Sequence, residues 1–421
     1  MERRIFWLLS AAIVLLALVL REQYVLQVSV LSPFAGDAGY YVRYAQHIAQ
    51  GYFGIGDVPD AYRPPGYPAL IALARLASSD PYTTLLQWQA LMGTATVGLT
   101  IGLARQWLPQ WAALLAGVLL ALWPHHIAFS AEVLSEVPYG FLLTAALLVA
   151  AVAKDRTWVW ACAGLLFACA AMVNSASVLL PIIVAAILIG RKAPVRWVAL
   201  LAPVVLIVGG WSLRPAEGGS DRIWQNLVQG SQPMYHEAYV RAAEDPAMAA
   251  VMREIDGETG HMVADPHAGM RSMASRLLDR PGHYAAWYAT KPWLLWDWSV
   301  RISPVGGPYM HAVARSPLDV APMQPVTSAL RALNPLLFAL SMAFALYAAV
   351  RLRGPAQMLA LAFLYFTAVH VVLQAEPRYS IPYRPIQIAL AAGALAWAAQ
   401  RIIPTLKIRT GSYARSRPLD S

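Results

Sequence analysis

Ten apolar segments, each about 15 to 20 residues long, constrain the fold of this chain more than any other feature. They are residues 5–20, 85–104, 112–130, 137–153, 158–173, 176–190, 197–213, 335–350, 358–373 and 384–400. A helix that crosses a bilayer needs about 20 largely apolar residues, and several segments are short, so their ends are approximate. Because helices satisfy their own backbone hydrogen bonds in lipid, the segments predict an all-α integral membrane protein with about ten transmembrane helices.

The low content of charged residues argues against an ordinary soluble domain. Hydrophobic residues make up 58% of the 421 residues and charged residues only 13%, which is about half of the charged fraction usual in globular proteins. The net charge of +9 could suggest a nucleic-acid partner, but the chain has no basic stripe. The distribution of basic residues between the two sides of a membrane explains this charge better.

The basic residues predict an orientation for the ten segments. With a cytoplasmic N-terminus, the inner side holds 15 basic and three acidic residues, and the outer side holds the other 17 basic and 20 acidic residues. The inner basic residues are Arg3, Arg4, Arg105, Lys154, Arg156, Arg191, Lys192, Arg196, Arg351, Arg353, Arg401, Lys407, Arg409, Arg415 and Arg417. This asymmetry follows the positive-inside rule. It predicts that both termini are cytoplasmic and that the loop 36–68 is on the outer side.

This topology divides the chain into four regions. They are an N-terminal transmembrane region 1–213 with an outer loop 21–84, an outer insert 214–334, C-terminal transmembrane helices 335–400 and a basic cytoplasmic tail 401–421. In the insert, Asp245-Pro246 and Asp265-Pro266 each offer an N-cap followed by proline at the first helical position, so we expect short α-helices there. Its aromatic stretch Trp287–Trp298 is typical of a membrane boundary. A rim that contacts a lipid substrate or a sugar face is the alternative.

An isolated carboxylate stands in the outer loop after the first apolar segment. Asp37 lies between Gly36 and Gly39 and is followed by Tyr40 and Tyr41. A carboxylate just beyond a helix end is most often a solvated cap. The flanking glycines, however, allow close approach of the backbone, and a partly desolvated aspartate can act as a general base. We therefore interpret Asp37 as a candidate for acid–base chemistry.

Two arginines stand beside proline in outer turns. Arg63 opens the sequence RPPGYP at 63–68, and Arg378 lies in the sequence EPRYSIP at 376–382. A rigid turn holds a guanidinium in place, and a guanidinium can bind phosphate through two parallel hydrogen bonds. The sequence therefore indicates phosphate binding at both turns, with contact to lipid headgroups in general as the alternative.

The outer turn between the third and fourth segments collects two histidines and two glutamates. Glu132 and Glu136 are four residues apart and share one face if this turn is helical. With His125 or His126 they could ligate a metal, but adjacent histidines on a helix point about 100° apart, and oxygen-ligand sites are poorly marked in sequence. Support of an acidic pocket, or plain solvation, is favoured over a metal site at His126, Glu132 and Glu136.

In their order and topology, four motifs resemble those of the GT-C superfamily of membrane glycosyltransferases, which use polyprenyl-phosphate sugars. The motifs are Gly36-Asp37-Ala38-Gly39-Tyr40-Tyr41, Arg63-Pro64-Pro65-Gly66-Tyr67-Pro68, Ser135-Glu136-Val137-Pro138 and Pro377-Arg378-Tyr379-Ser380-Ile381-Pro382. The resemblance covers most of 1–210 and 335–400. It points to bacterial relatives of protein O-mannosyltransferases, aminoarabinose transferases and the galacturonosyltransferases of lipopolysaccharide. Three features depart from the pattern. Ala38 replaces the second acid of many relatives, the Trp-Trp-Asp signature of oligosaccharyltransferases is absent, and the long insert has no sugar-binding β-domain of the kind found in eukaryotic mannosyltransferases.

The resemblance implies a GT-C-like fold with extracytoplasmic loop helices and an inverting glycosyltransferase of the bacterial cytoplasmic membrane, active on its outer side. Asp37 would be the general base, and Arg63 and Arg378 would stabilise the charge on the departing lipid phosphate. The residues implied in substrate binding are Tyr40, Tyr41, Arg63, Tyr67, Glu132, Glu136, Arg378 and Tyr379. No cofactor is required, although a divalent metal stays open. The donor would be a sugar on undecaprenyl or a similar phosphate, and the acceptor a glycan, lipid A or lipopolysaccharide, or a protein.

Other functions also fit a membrane protein that binds a lipid-linked sugar. A flippase or transporter predicts ionisable residues at mid-membrane, whereas here the helix interiors are nearly free of charge and the polar residues crowd one side. A ligase or polymerase of surface polysaccharide would take a lipid-linked oligosaccharide, and the early Asp37 loop argues against it without excluding it. For a non-catalytic subunit of the same fold, the sequence offers no test.

Overall fold

The computed structural model describes residues 2–30, 36–56, 58–190, 193–214, 216, 221–299, 311–313, 318 and 321–402. These residues form nineteen α-helices and two short antiparallel sheets. The all-α fold class is therefore confirmed. The Arg191-Lys192 pair and all of the predicted basic tail beyond residue 402 lie outside the described residues.

Eleven of these helices belong to the N-terminal region. They are α1 (Arg3–Val25), α2 (Gly36–Ala49), α3 (Gly66–Ala77), α4 (Pro81–Ala104), α5 (Gln110–Ala121), α6 (Pro124–Ala128), α7 (Glu136–Val152), α8 (Thr157–Val173), α9 (Leu180–Leu188), α10 (Pro194–Val204) and α11 (Gly210–Ser212). A short 3-10 turn at Phe129–Ala131 follows α6, and another at Ser175–Ser177 precedes α9. A π-helical turn at Val205–Gly209 joins α10 to α11.

The insert and the C-terminal region contribute the other eight helices. They are α12 (Asp221–Ser231), α13 (Tyr235–Arg241), α14 (Pro246–Ala264), α15 (Pro266–Asp279), α16 (Pro281–Leu295), α17 (Met323–Arg351), α18 (Pro355–Val372) and, after a 3-10 turn at Pro377–Tyr383, α19 (Arg384–Ile402). The sheets pair β1 (Val28–Val30) with β4 (His311–Val313), and β2 (Gly54–Ile55) with β3 (Val58–Pro59).

Each of the ten apolar segments falls on a helix or on an interrupted helix. Among the described residues, however, only four helical stretches are long and apolar enough to span a membrane: α1, α10 through α11, α17 and α18. A fifth is counted if α5 and the stretch Pro124–Ala131, bent by 59°, form one span. The structure therefore supports a multi-pass membrane protein but does not confirm a count of about ten. Several segments fall short because their helices have 17 residues or fewer, as in α7 and α8.

Small residues allow the apolar helices to approach closely. The α8 helix packs against both α7 and α10, and α4 packs against α1 and α7. At Gly164 in α8, a Cβ atom would lie 2.2 Å from the carbonyl oxygen of Leu200 in α10. A side chain at this position would force the two helices apart, so the contact requires glycine. Packing through small residues is typical of helices in lipid, where burial of apolar surface alone does not drive association.

The insert folds into short helices that begin at the expected caps. Asp245 accepts a hydrogen bond from the backbone N–H of Ala247 over 2.9 Å, and Asp265 accepts one from that of Ala268 over 3.0 Å. Both predicted N-caps are thus confirmed. The aromatic stretch of the insert faces the bundle in part, because Trp296 is buried and stacks on Phe363 of α18 with ring centres 4.6 Å apart.

The outer loop is more regular than its sequence indicates. Its amphipathic part forms α2, the β2–β3 hairpin follows, and α3 packs against α2 and α4. The sequence reasoning did not predict α3, since 12 residues are too few for a span and the segment lies between two longer apolar runs. This arrangement brings the start of α2, the turn before α3, the start of α7 and the turn Pro377–Tyr383 together.

Candidate active site

Asp37 is held between two arginines from distant parts of the chain. Arg63 donates a hydrogen bond from Nη2 to Oδ1 of Asp37 over 2.7 Å, and Arg378 donates one from Nη2 to Oδ2 over 2.7 Å. The Asp37 side chain is 25% exposed, whereas those of Arg63 and Arg378 are 7% and 14% exposed. The candidate base and the two candidate phosphate ligands therefore form one cluster, which still reaches solvent at the carboxylate.

The start of α2 determines the position of Asp37. Gly36 has a φ of 54°, in the left-handed region where a residue with a side chain is usually strained. The chain then enters α2 with Asp37 in the first turn, where a carboxylate interacts favourably with the helix dipole. A glycine immediately before the aspartate is therefore what this backbone requires.

Three tyrosine rings surround the Arg63 guanidinium. Its Cζ atom lies 4.9 Å from the ring centre of Tyr40, 5.1 Å from that of Tyr41 and 5.8 Å from that of Tyr62. The Nη2 atom of Arg63 donates a hydrogen bond to Asp37, while its buried Nε and Nη1 atoms donate to no residue that the structure describes. The rings hold the guanidinium through cation–π contacts, and two of its nitrogens retain donor capacity for an anion.

Arg378 links Asp37 to a second carboxylate. Its Nε atom lies 3.4 Å from Oε1 of Glu136, the first residue of α7. The Glu136 side chain is 10% exposed, and its Oε2 atom accepts no hydrogen bond from the described part of the chain. Gly140, one turn along α7, lets the Arg378 turn pack closely, since a Cβ there would lie 3.2 Å from Cα of Pro382.

The arginines keep Asp37 ionised. Burial alone would raise the pKa of this carboxyl, but the charges of Arg378 and Arg63, with that of Arg222 in α12, hold the pKa of Asp37 well below its usual range. Near Arg378, His236 contacts Glu376 with 2.9 Å between Nδ1 and Oε1. Burial also opposes ionisation of Glu376, yet the hydrogen bond from His236 and the charge of Arg378 lower its pKa. Both carboxylates therefore carry charge near neutral pH.

Tyr41 and Tyr67 form a layer behind the charged cluster. Their rings meet edge to face with centres 4.9 Å apart. The Tyr67 hydroxyl donates to Oε1 of Gln89 over 2.9 Å, and the Tyr41 hydroxyl shares a hydrogen bond with Oγ of Ser135 over 3.2 Å. Tyr67 is fully buried and packs against Tyr41, so its ring is not open to a substrate.

Tyr40 and Tyr379 lie on either side of the cluster. Tyr40 is exposed and lies over Arg63. The Tyr379 ring stacks on His370 with centres 5.3 Å apart, and its hydroxyl donates to Oε1 of Gln374 over 3.0 Å. Of the predicted binding tyrosines, Tyr40 is thus the most open to a substrate.

The histidine and glutamate turn is arranged differently from the sequence interpretation. Glu132 has an extended backbone after the 3-10 turn, and α7 begins only at Glu136, so the two glutamates do not share a helical face. His126 accepts a hydrogen bond from Arg21 over 2.8 Å, and His125 packs on Trp298. Within the described ranges, no group of three or more His, Cys, Asp or Glu side chains could hold a metal ion.

The sequence reasoning missed the contribution of the insert. The positive charge of Arg222 in α12 helps to lower the pKa of Asp37. Gln225, one turn further along α12, accepts a hydrogen bond from Tyr62 beside Arg63. No motif marks α12 as a partner of the outer loop. Only the packing of the insert on the loop reveals this third cation.

Part of the sequence matches a family model, and the fold is similar to that of solved structures. A family model described as dolichyl-phosphate-mannose-protein mannosyltransferase matches residues 62–211. The crystal structure of the Archaeoglobus fulgidus oligosaccharyltransferase in the apo form superimposes with a TM-score of 0.55 at 15% sequence identity, covering 99% of this chain and 53% of that chain. The resemblance to the GT-C superfamily is thereby confirmed. The same archaeal enzyme in complex with Zn and sulfate gives a TM-score of 0.53 at 15% identity, covering 94% and 50% of the two chains.

These likenesses show the GT-C fold and leave the substrates open. The chain spans about half of the length of the archaeal structures. ArnT from Cupriavidus metallidurans bound to undecaprenyl phosphate matches with a TM-score of 0.44 at 13% identity, over 94% of this chain and 79% of that chain. None of the curated proteins matches. The family model covers Arg63 and Glu136 but neither Asp37 nor Arg378.

Proposed function

We propose that this chain is an inverting glycosyltransferase that moves a hexosyl or pentosyl group from a polyprenyl phosphate to an acceptor hydroxyl outside the cytoplasm. The observation that carries this proposal is the cluster in which Arg63 and Arg378 meet on Asp37. Two largely buried guanidinium groups suit the phosphate of a lipid-linked donor, and a carboxylate between them suits removal of a proton from the acceptor. The GT-C fold supports the same conclusion.

The transfer is a single displacement at the anomeric carbon. The acceptor oxygen forms the new bond, the bond from the anomeric carbon to the phosphate oxygen breaks, and the phosphate keeps its electron pair. Asp37 takes the acceptor proton, while Arg63 and Arg378 stabilise the charge that grows on the phosphate. A phosphate is a good leaving group, so the chemistry requires no nucleotide or flavin.

The surrounding side chains would hold the substrates. Tyr40 would contact the donor sugar or the lipid, with Tyr41 and Tyr379 at its edges. Glu136 would accept a hydrogen bond from a sugar hydroxyl through its unused Oε2 atom. Glu132 and Tyr67 would support the side of the site that Glu136 forms. A divalent metal is not required by these roles.

The proposed setting is the bacterial inner membrane, with both termini in the cytoplasm and the cluster on the periplasmic side. The polyprenyl tail of a donor such as undecaprenyl phosphate would lie between apolar helices, near the outer boundary of the bilayer. Lipopolysaccharide or lipid A, another envelope glycan, and protein are the acceptor classes. The positive-inside distribution of charges supports this orientation.

Analysis of envelope glycans tests this function. A strain with the gene deleted is complemented with the wild-type chain, with Asp37→Asn or with Asp155→Asn, and its lipopolysaccharide and glycoproteins are compared by mass spectrometry. Asp155→Asn is a matched control, since this residue is 88% exposed in the turn between α7 and α8 and contacts Arg196 rather than the cluster. We expect one glycan mass to be lost on deletion and restored by wild type and Asp155→Asn only. Full restoration by Asp37→Asn would contradict the transferase and favour a transporter.

A further inference from the structure

We propose that the donor phosphate and the Asp37 carboxylate compete for the same two guanidinium groups, so that donor binding activates the base. This inference rests on the proposed function and adds an order to it. Asp37 becomes an effective proton acceptor only after a lipid phosphate has engaged Arg63 and Arg378, so the donor must bind before the acceptor is deprotonated.

The first support is the pairing of both carboxylate oxygens. Oδ1 accepts from Arg63 and Oδ2 from Arg378, each over 2.7 Å, which is the length of a charge-assisted hydrogen bond. Arg222 adds positive charge from the insert. A carboxylate satisfied by two cations has little tendency to take a proton, since its pKa is held well below its usual range. In this arrangement Asp37 is a poor base for a hydroxyl group.

The second support is the spare capacity of Arg63. Its Nε and Nη1 atoms are buried and donate to no described residue, while Nη2 is used by Asp37. Because these two donors are buried, a phosphate oxygen reaches them once the exposed Tyr40 ring over Arg63 moves aside, and Nη2 can still hold Asp37 as it does so. The buried Tyr41 ring stays against Arg63, so the anion changes the partner of the guanidinium more than its position.

The third support is electrostatic. A phosphate bound to Arg63 and Arg378 shares their positive charge and places a negative charge beside Asp37. Both effects favour protonation of the carboxylate. The acceptor proton can then move to Asp37 as the acceptor oxygen bonds to the anomeric carbon and the phosphate departs with its electron pair. Without a bound donor, the same carboxylate would leave an acceptor hydroxyl or water unactivated.

The test is the affinity for a polyprenyl monophosphate that carries no sugar. Radiolabelled probe is bound to the purified full-length protein in detergent, and the Kd is measured for wild type, Asp37→Asn, Asp37→Ser, Asp37→Glu and the control Asp155→Asn. Removing the competing charge should lower the Kd by about tenfold or more, which corresponds to about 1.4 kcal/mol. Asp37→Glu and Asp155→Asn should stay close to wild type. Asp37→Ser serves if Asp37→Asn is not recovered folded by size-exclusion chromatography.

The outcomes separate this inference from the proposed function. An unchanged or higher Kd in both neutral Asp37 variants, with clear binding by wild type, overturns the competition and leaves the transferase standing. It would mean that Asp37 positions the arginines for phosphate. If neither wild type nor Asp37→Asn binds the probe, or if Arg378→Ala binds it as tightly as wild type, the phosphate site itself fails, and the proposed function fails with it. Tighter binding by Asp37→Asn together with loss of transfer supports both.

Discussion

Replacement of Arg378 gives the sharpest test of the site, because this side chain joins two carboxylates and, in the proposed reaction, the phosphate. Its Nη2 donates to Asp37 over 2.7 Å and its Nε lies 3.4 Å from Glu136. A hydrogen bond to a charged group contributes roughly 1.5–3 kcal/mol to stability, and the longer contact adds less. We therefore expect Arg378→Ala to lower stability by about 2–3 kcal/mol, which a folded membrane protein of this size can tolerate.

The effect on catalysis should be larger than the effect on folding. Removal of one preorganised donor to a developing charge typically costs about 10²–10³ in rate, or roughly 2.7–4 kcal/mol. We expect Arg378→Ala to lower kcat/KM for the donor by about that factor. Arg378→Lys should lose about 10–100-fold, since an ammonium keeps the charge but cannot reproduce the planar fork that serves Asp37 and an anion together.

The assay is the initial rate of sugar transfer at varied donor concentration, with protein integrity followed by size-exclusion chromatography in detergent. Arg253→Ala is the matched control, since Arg253 is an exposed residue of α14 and its replacement makes the same change in net charge. A kcat/KM for Arg378→Ala within threefold of wild type would refute the phosphate role. An equal loss of kcat/KM in Arg253→Ala would also refute it, because the loss would then follow from the change in net charge alone.

Three further predictions address the packing of the Arg378 turn, the charge of Asp37 and the buried hydrogen bond of Tyr67. Gly140→Leu should reduce the rate of transfer by about tenfold or more without loss of the fold, since the new side chain would push Pro382 and with it the Arg378 turn. Gly209→Leu is the control for the transfer rate, because a Cβ atom at Gly209 would have no neighbouring atom within 4 Å. Because the pKa of Asp37 is lowered in the folded protein, the ionised carboxylate stabilises the fold above about pH 4, and this stabilisation is lost as pH falls. The apparent melting temperature in detergent should therefore fall less steeply below about pH 4 in Asp37→Asn than in wild type. Tyr67→Phe should lower the free energy of unfolding by about 1–3 kcal/mol, since the buried Gln89 carbonyl loses its donor; denaturant titration measures this, and a value equal to that of the exposed control Tyr239→Phe would contradict it.

Local sequence patterns predicted the helices better than their roles in the bundle. The insert caps at Asp245 and Asp265 were predictable, because an N-cap depends on a few neighbouring residues. The α3 helix was missed because a short apolar helix and an irregular apolar loop look alike in one sequence. The shared face of Glu132 and Glu136 was conditional on a continuous helix, and this condition is not met because the chain is extended at Glu132.

The meeting of Asp37, Arg63 and Arg378 could be hypothesised from motif order, but the participation of Arg222 could not. The first three residues stand in rigid, recognisable turns next to glycine or proline, and the predicted topology puts those turns on one side. Arg222 lies in an amphipathic helix of the insert with no distinguishing neighbour. Its approach to Asp37 depends on how the insert packs on the outer loop, which is a property of the whole fold.

The origin of the site residues explains why the whole chain is needed for the proposed chemistry. The region matched by the family model supplies Arg63 and Glu136, whereas Asp37 precedes it and Arg378 follows the insert. The C-terminal turn that carries Arg378 reaches the start of α7 because Gly140 permits close packing, and α19 continues from that turn into contact with α17 and α5. A change that loosens α19 from α5 would therefore withdraw Arg378 from Asp37 without touching either residue. The proposed phosphate site is in this sense closed by the C-terminal helices, and we expect its affinity for an anion to depend on their packing as much as on the charges at its centre.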